Sequence, residues 1–216
     1  MELEIEESIR EKFPELKVLI SKLENIKIKK ESEELEKEKE RVVGEIRDMY
    51  DIEKLKHDPT IRAYRNFFWT LGIDPTKIRP ASEALIRRIL SGKSFPKINT
   101  GVDSYNLASI KTSIPLAAFD AEKIKGELKM RWAMKGEEFY GIGMIKPIIL
   151  KGNEVVIHDK EKAIAIYPYR DAEVTKLTLN TNKILLLSCG APGVEEGKLV
   201  EAIELALKYI QKFCSP

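Results

Sequence analysis

Hydrophobic and polar positions along the chain change period partway through. Residues 4 to 12 carry the pattern of a short helix that Pro14 stops, and LKVLISKLENIKI then alternates as an interrupted strand. From Glu31 to Tyr50 the residues are strongly charged, yet Leu35, Val42, Val43, Ile46 and Met49 recur at helical spacing. That spacing predicts an amphipathic helix with a solvated charged face. HDPTIRAYRNFFWTLGIDPTKIRPASEALIRRILSGK predicts two more helices. Asp58 caps the first ahead of Pro59, Pro80 or Ser82 stands near the start of the second, and Gly92 ends it.

After Gly92 the texture becomes strand-like. ELKMRWA sets Leu128, Met130 and Trp132 against Glu127, Lys129 and Arg131, an alternation of period two with one wet face. FYGIGMI, NEVVIHD, AIAIYP and KILLLSC read as further short strands between the turn signals KGEE, KGN and HDKEK. The C-terminal stretch VEEGKLVEAIELALKYIQKF returns to helical period through Leu199, Ile203, Ala206, Leu207 and Ile210. Helices bracketing a strand-rich centre predict an α+β fold with antiparallel or mixed sheets. The expected organisation is one domain over 1–216: a helix-rich part at 1–78, a core at 79–190 and a C-terminal helix within 191–216.

Composition narrows the classes. Of 216 residues, 43% are hydrophobic and 33% charged, the balance of a globular protein with a heavily ionic surface. The 37 basic and 35 acidic residues leave a net charge of +2, so a nucleic-acid site has to be a local patch. IKIKK at 26–30 and Arg62, Arg65, Arg79, Arg87 and Arg88 supply local basic clusters suited to phosphates, and each equally suits a solvated helix face. The acidic N-terminus MELEIEESIREKFPEL lacks a signal-peptide core, and no apolar run approaches membrane-spanning length. The expectation is a cytoplasmic protein with no membrane association.

Several candidate sites dissolve on inspection. CGAPGVEEGKL invites a phosphate-loop reading, but its glycine spacing is short, no Ser or Thr follows Lys198, and Pro192 removes an amide. His57 precedes a helix start and His158 falls in a turn; neither has partners for metal or triad chemistry, and both suit the surface. Cys189 suits a buried free thiol, and Cys214 has no partner at metal-ligand spacing. No metal and no cofactor is expected.

Two places remain. Asn99, Asp103 and Asn106 share one side of an expected helix, with Asn99 or Thr100 as its cap. In YPYRDAEVTKLT, Arg170, Asp171 and Thr175 follow an apolar strand, where a binding rim would stand. On spacing alone, both places suit structural roles: a helix cap, and a surface ion pair between Arg170 and Asp171 or another acid.

The order RPASEALIRRILSGKSFPKINTGVDSYNLASIKTSIPLAAFD, GELKMRWAMKGEEFYGIG, AIAIYPYRDAEVTKLTLNTNKILLLSC resembles the B3/B4 domain of the phenylalanyl-tRNA synthetase β subunit. More specifically it resembles the free-standing B3/B4 proteins of archaea and bacteria, over about residues 79 to 190. The resemblance implies a layered α+β fold on a β-sandwich with helices outside. It also implies an editing module that hydrolyses mischarged aminoacyl-tRNA. The implied partners are tRNA or aminoacyl-tRNA, or a free amino acid.

Within the resemblance, Asn99, Val102, Asp103, Asn106, Pro115, Leu116, Ala118, Phe119 and Asp120 match the family frame. The editing domain has a His where this chain has Ala117. Its Glu, which follows a glycine pair, falls at or beside Arg170 and Asp171, where Pro168 and Tyr169 replace the glycines. Ester hydrolysis needs a positioned water and a stabilised oxyanion. Asp171 or Glu138 is the expected water-orienting group, and Arg170, Thr175 or main-chain amides the expected oxyanion partners. Asn99, Asp103, Asn106, Ala117 and Asp120 are the expected substrate-pocket residues. Two functions compete: a deacylase acting in trans, distinct in specificity from the synthetase domain and short of a full synthetase, or a non-catalytic module binding tRNA or an amino acid. The charged helix within 31–56 is a third candidate, as a docking element.

Overall fold

A computed structural model describes residues 2–215. In chain order the elements are β1 (Leu3–Ile5), α1 (Glu7–Lys12), β2 (Val18–Leu23), α2 (Glu33–Met49), α3 (Ile52–His57), α4 (Pro59–Thr70), α5 (Ala81–Leu90), α6 (Thr100–Thr112), β3 (Leu116–Asp120), β4 (Leu128–Trp132), β5 (Glu138–Phe139), β6 (Ile148–Ile149), β7 (Val155–His158), β8 (Ala163–Ile166), β9 (Arg170–Asp171), β10 (Ile184–Cys189) and α7 (Glu196–Phe213).

The strands form a five-stranded sheet in the order β1-β4-β7-β8-β9, a three-stranded sheet β2-β10-β3, and the pair β5-β6. The five-stranded sheet is mixed, β1 running parallel to β4 and the other neighbours antiparallel. The three-stranded sheet is antiparallel, with β10 at its centre. Helices and mixed sheets confirm the α+β expectation.

Most of the predicted elements form for the local reasons anticipated. The Asp58 carboxylate accepts the Ile61 amide at 3.0 Å ahead of Pro59, and the Asn99 side chain accepts the Val102 amide at 2.9 Å, opening α6. Each cap satisfies an orphan amide of a first turn and stabilises its helix by about 1 kcal/mol. Every residue of β10 is buried, which fits a central strand flanked on both edges and covered by α7.

The main core runs from Ile9 to Cys214 and draws on residues before, within and after the expected 79–190 core. A smaller apolar cluster, including Phe139, Val156, Ile166 and Ala172, lies apart from it. The two clusters explain the continuous apolar character of β7, whose Val155 and Ile157 enter the main core while Val156 enters the smaller one.

Four expectations change. Residues 3–5 are a strand rather than the start of a helix, because β1 finds β4 as a partner. On α2, Met49 is 57% exposed and Val43 only half-buried, whereas Lys39 on the supposedly solvated face is buried. FYGIGMI is not one strand: only Glu138–Phe139 pairs, with β6, and a turn with Gly143 at φ 75° follows. Gly141 makes a single bridge to Ala172, and the Arg170 side chain packs where its Cβ would stand. His158 ends β7 half-buried instead of standing in a turn.

Candidate functional site

The two sheets meet around a small cavity of about 60 Å³. β3 contributes Leu116, Ala117 and Phe119; β8 contributes Ala165; β9 contributes Asp171; β10 contributes Cys189; Ala81 of α5 and the Tyr167-Pro168-Tyr169 turn close it. The register explains the convergence. Ala117 sits opposite Leu187 on β10, and Asp171 sits opposite Ala165 on β8, so strands from different sheets bring both residues to one hollow. The Tyr167–Pro168 bond is cis.

Asp171 is the carboxylate of this cavity. It is half-buried among apolar neighbours, and burial lifts it from 3.8 to about 7, against the opposing pull of Arg170. At neutral pH the group is therefore divided between an acid and a base. Arg170 and Asp171 do not form the ion pair that adjacency suggested. Alternation along β9 places Arg170 opposite Ile166 of the smaller apolar cluster, while Asp171 is opposite Ala165 of the main one. The Arg170 guanidinium donates to the Ile142 carbonyl at 3.3 Å, and its buried Nε has no partner among the described residues.

Aromatic and sulfur groups around the cavity were invisible as a site in the sequence. The Tyr167 hydroxyl donates to the Gly190 carbonyl and the Tyr64 hydroxyl to the Cys189 carbonyl, each at 2.6 Å, so both phenols are tied to the end of β10. The buried Cys189 thiol is raised by desolvation and then by the nearby Asp171 carboxyl, which leaves it protonated and a poor nucleophile. Desolvation and then the Asp171 charge likewise raise the Tyr105 phenol of α6. The signal for these residues was the paired tyrosines of YPY directly after an apolar strand.

The remaining sequence candidates stand elsewhere or serve the framework. Asn99 caps α6 and its amide reaches the Leu177 carbonyl at 3.5 Å. Asp103 accepts the Ile98 amide at 3.0 Å and holds the Lys39 ammonium; burial pushes its carboxyl up from the ordinary value and Lys39 opposes that shift. Asn106 is half-buried on α6. Asp120 accepts the Glu122 amide at 3.1 Å and the Thr181 hydroxyl at 2.8 Å, pinning the loop before β10. Thr175 is buried, its hydroxyl directed to the Ala172 carbonyl at 3.4 Å.

Glu138 lines a different hollow, open and of about 400 Å³, with Glu137, His158 and Lys162. Glu137 takes both guanidinium nitrogens of Arg131 at 2.9 and 3.0 Å, and His158 lies 3.9 Å from it. The structure thus gathers Ala117 and Asp171 and leaves Glu138 apart. Among the described residues there is no cluster of three or more His, Cys, Asp or Glu side chains able to hold a metal, and no helix long and apolar enough to cross a membrane.

Comparison with known proteins shows what the chain is similar to. The chain is 34% identical over 114 residues to the phenylalanine–tRNA ligase beta subunit of Onion yellows phytoplasma (strain OY-M), a match covering 53% of this chain and 14% of that subunit. It is 32% identical over 114 residues to the corresponding subunit of Fusobacterium nucleatum, again 53% of this chain and 14% of that one. The matches thus span about one seventh of those relatives' length. In fold, it resembles an N-terminal fragment of the phenylalanyl-tRNA synthetase beta subunit from Pyrococcus horikoshii, with a TM-score of 0.50 and 12% identity, covering 98% of this chain and 48% of that one. The model of the B3/4 domain matches residues 63–215, well over half of the sequence, and on that ground the chain belongs to the B3/4 domain family.

Proposed function

We propose that this B3/4 protein associates with tRNA and hydrolyses the ester of mischarged aminoacyl-tRNA at the cavity between its two sheets. The observation that carries the reading is the position of Asp171: a carboxylate with an affinity for protons near neutrality, set in an apolar cavity beside Ala117. Such a group, in its ionised form, accepts a proton from a water that attacks the ester carbonyl, and returns it to the departing ribose oxygen. The carbonyl carbon gains the water oxygen, the ester C–O bond breaks, and the free amino acid leaves.

Where the resembling domains carry a His, Ala117 leaves room instead of a hydrogen-bonding imidazole. The water must therefore be oriented by Asp171 or by main-chain groups, since Arg170 stands opposite the smaller apolar cluster and the Thr175 hydroxyl is directed to the Ala172 carbonyl. The volume of about 60 Å³ also favours small substrate side chains, since an engineered cavity of about 150 Å³ is what accommodates a benzene ring.

A second reading is a non-catalytic module that binds tRNA or an amino acid; the missing imidazole favours it. A deacylation screen over a panel of mischarged tRNAs separates the two. Hydrolysis of at least one, lost in Asp171→Asn and Asp171→Ala and reduced in Asn106→Ala only if α6 borders the substrate, supports the enzyme. Binding of tRNA without hydrolysis of any member selects the module.

A further inference from the structure

The outer face of α5 and the loop before it form an open groove of about 470 Å³ whose charged lining is entirely basic: Lys77, Arg79, Arg87, Arg88 and Lys93. In a chain with a net charge of only +2, that is a concentrated positive surface. The acid that α5 does carry, Glu83, is turned inward and fully buried, where it receives Arg65 at 2.9 Å and Arg87 at 2.6 Å. Lys77 is 3.9 Å from Asp74, a loose exposed contact, and the Arg88 guanidinium donates to the Ser94 carbonyl. Among the described residues, Arg79, Arg88 and Lys93 have no carboxylate within salt-bridge distance.

The groove also has a direction. Ala81, the first residue of α5, belongs to the wall of the Asp171 cavity, and Arg79 lies two residues before it. Arg88 is seven residues further along, about 10 Å down the helix axis. One helix thus connects a row of cations with the cavity.

We infer that this groove binds the phosphodiester backbone of RNA and leads a strand along α5 toward the cavity at Ala81. The inference rests on the tRNA-associated reading above and locates its docking surface. A concave row of cations without interspersed acid suits a chain of phosphates, each paired with Lys or Arg and releasing its counterions. An anionic lipid surface shares the charge but is flat, and is the competing occupant.

The test uses the full chain, fluorescently labelled unfractionated tRNA, and vesicles of phosphatidylserine in phosphatidylcholine, titrated between 50 and 200 mM KCl. The variants are Arg79→Ala/Arg88→Ala/Lys93→Ala in the groove and Lys29→Ala/Lys30→Ala on a different basic cluster. All three groove positions are exposed, and circular dichroism checks that the triple variant is folded. The triple variant is expected to lose tRNA affinity on the order of 100-fold at 0.1 M salt, with the log–log salt slope shallower by about 2. The Lys29→Ala/Lys30→Ala variant is expected to bind as the unaltered chain does. An unchanged affinity and slope in the triple variant overturns the groove while leaving the tRNA reading intact. Failure of the unaltered chain to bind tRNA overturns both, and vesicle binding in its place assigns the groove to a membrane surface.

Discussion

The Lys39 ammonium of α2 stands 2.5 Å from the Asp103 carboxylate of α6, with side chains only 5% and 2% exposed. Asp103 accepts the Ile98 amide as well, and Lys39 also reaches Glu36 at 2.6 Å, so one ionic cluster ties α2 to the start of α6. Removing one member strands a buried charge. Lys39→Met is expected to destabilise the fold by about 3–5 kcal/mol, whereas Lys39→Met combined with Asp103→Leu is expected to recover most of that loss. Urea unfolding of both variants measures it; equal losses would show that the pair is not energetically coupled.

Asp171 sets a pH dependence of stability with a definite sign. Its folded-state affinity of about 7 lies above the ordinary 3.8, so the folded protein holds a proton that the unfolded chain releases. The contribution is fully present below about pH 4 and is lost as pH rises toward 7. The shift corresponds to at most about 4 kcal/mol, which the solvent access of a half-buried carboxyl reduces to about 1–2. Relative to the unaltered chain, Asp171→Asn is expected to gain that amount between pH 4 and pH 8 in denaturant titrations.

If Asp171 acts as the base, hydrolysis follows the opposite course. The rate is expected to rise with pH through about 7 and then level, because only the ionised carboxylate accepts a proton. A pH–rate profile of kcat/KM checks this, and a flat profile would assign the base elsewhere.

Ala117 tests the cavity with little risk to the fold. Ala117→Val adds two methyl groups to a space of about 60 Å³, and a stability change under about 1.5 kcal/mol is expected. Hydrolysis of every substrate should nevertheless fall by at least about tenfold, the cost of misplacing substrate by about 1.4 kcal/mol. Paired unfolding and deacylation assays separate the two effects.

Gly190 is a point of close backbone approach. A Cβ at this position would stand 2.2 Å from the Lys17 carbonyl oxygen, and backbone cannot move aside as a side-chain tip can. The Gly190 amide also donates to that carbonyl at 3.1 Å. Gly190→Ala is expected to cost about 3 kcal/mol or more by overpacking, read as a lower thermal midpoint.

The sequence revealed features that depend on local spacing and concealed those set by distant pairing. Asn99 and Asp58 announced themselves as caps because the amides they satisfy lie three residues away. Lys39 read as solvated because its partner lies 64 residues further along. The cavity was half visible: the resemblance singled out Ala117 and Asp171, while Tyr167, Tyr169 and Cys189 joined them only through strand pairing and packing between the sheets. Glu138 is adjacent in motif order but belongs to another hollow, since β5 pairs with β6 instead of joining either larger sheet.

The central position of β10 has a consequence for how the protein is made. Residues 184–189 pair with 18–23 on one edge and with 116–120 on the other, so both partners leave the ribosome long before the strand that joins them. Until then each carries an unpaired apolar edge, and closing the sheet means bringing together segments some 160 residues apart. This sheet therefore cannot close until residues 184–189 have been made, and its assembly is expected to be a late, slow event of folding and a stage open to chaperone capture.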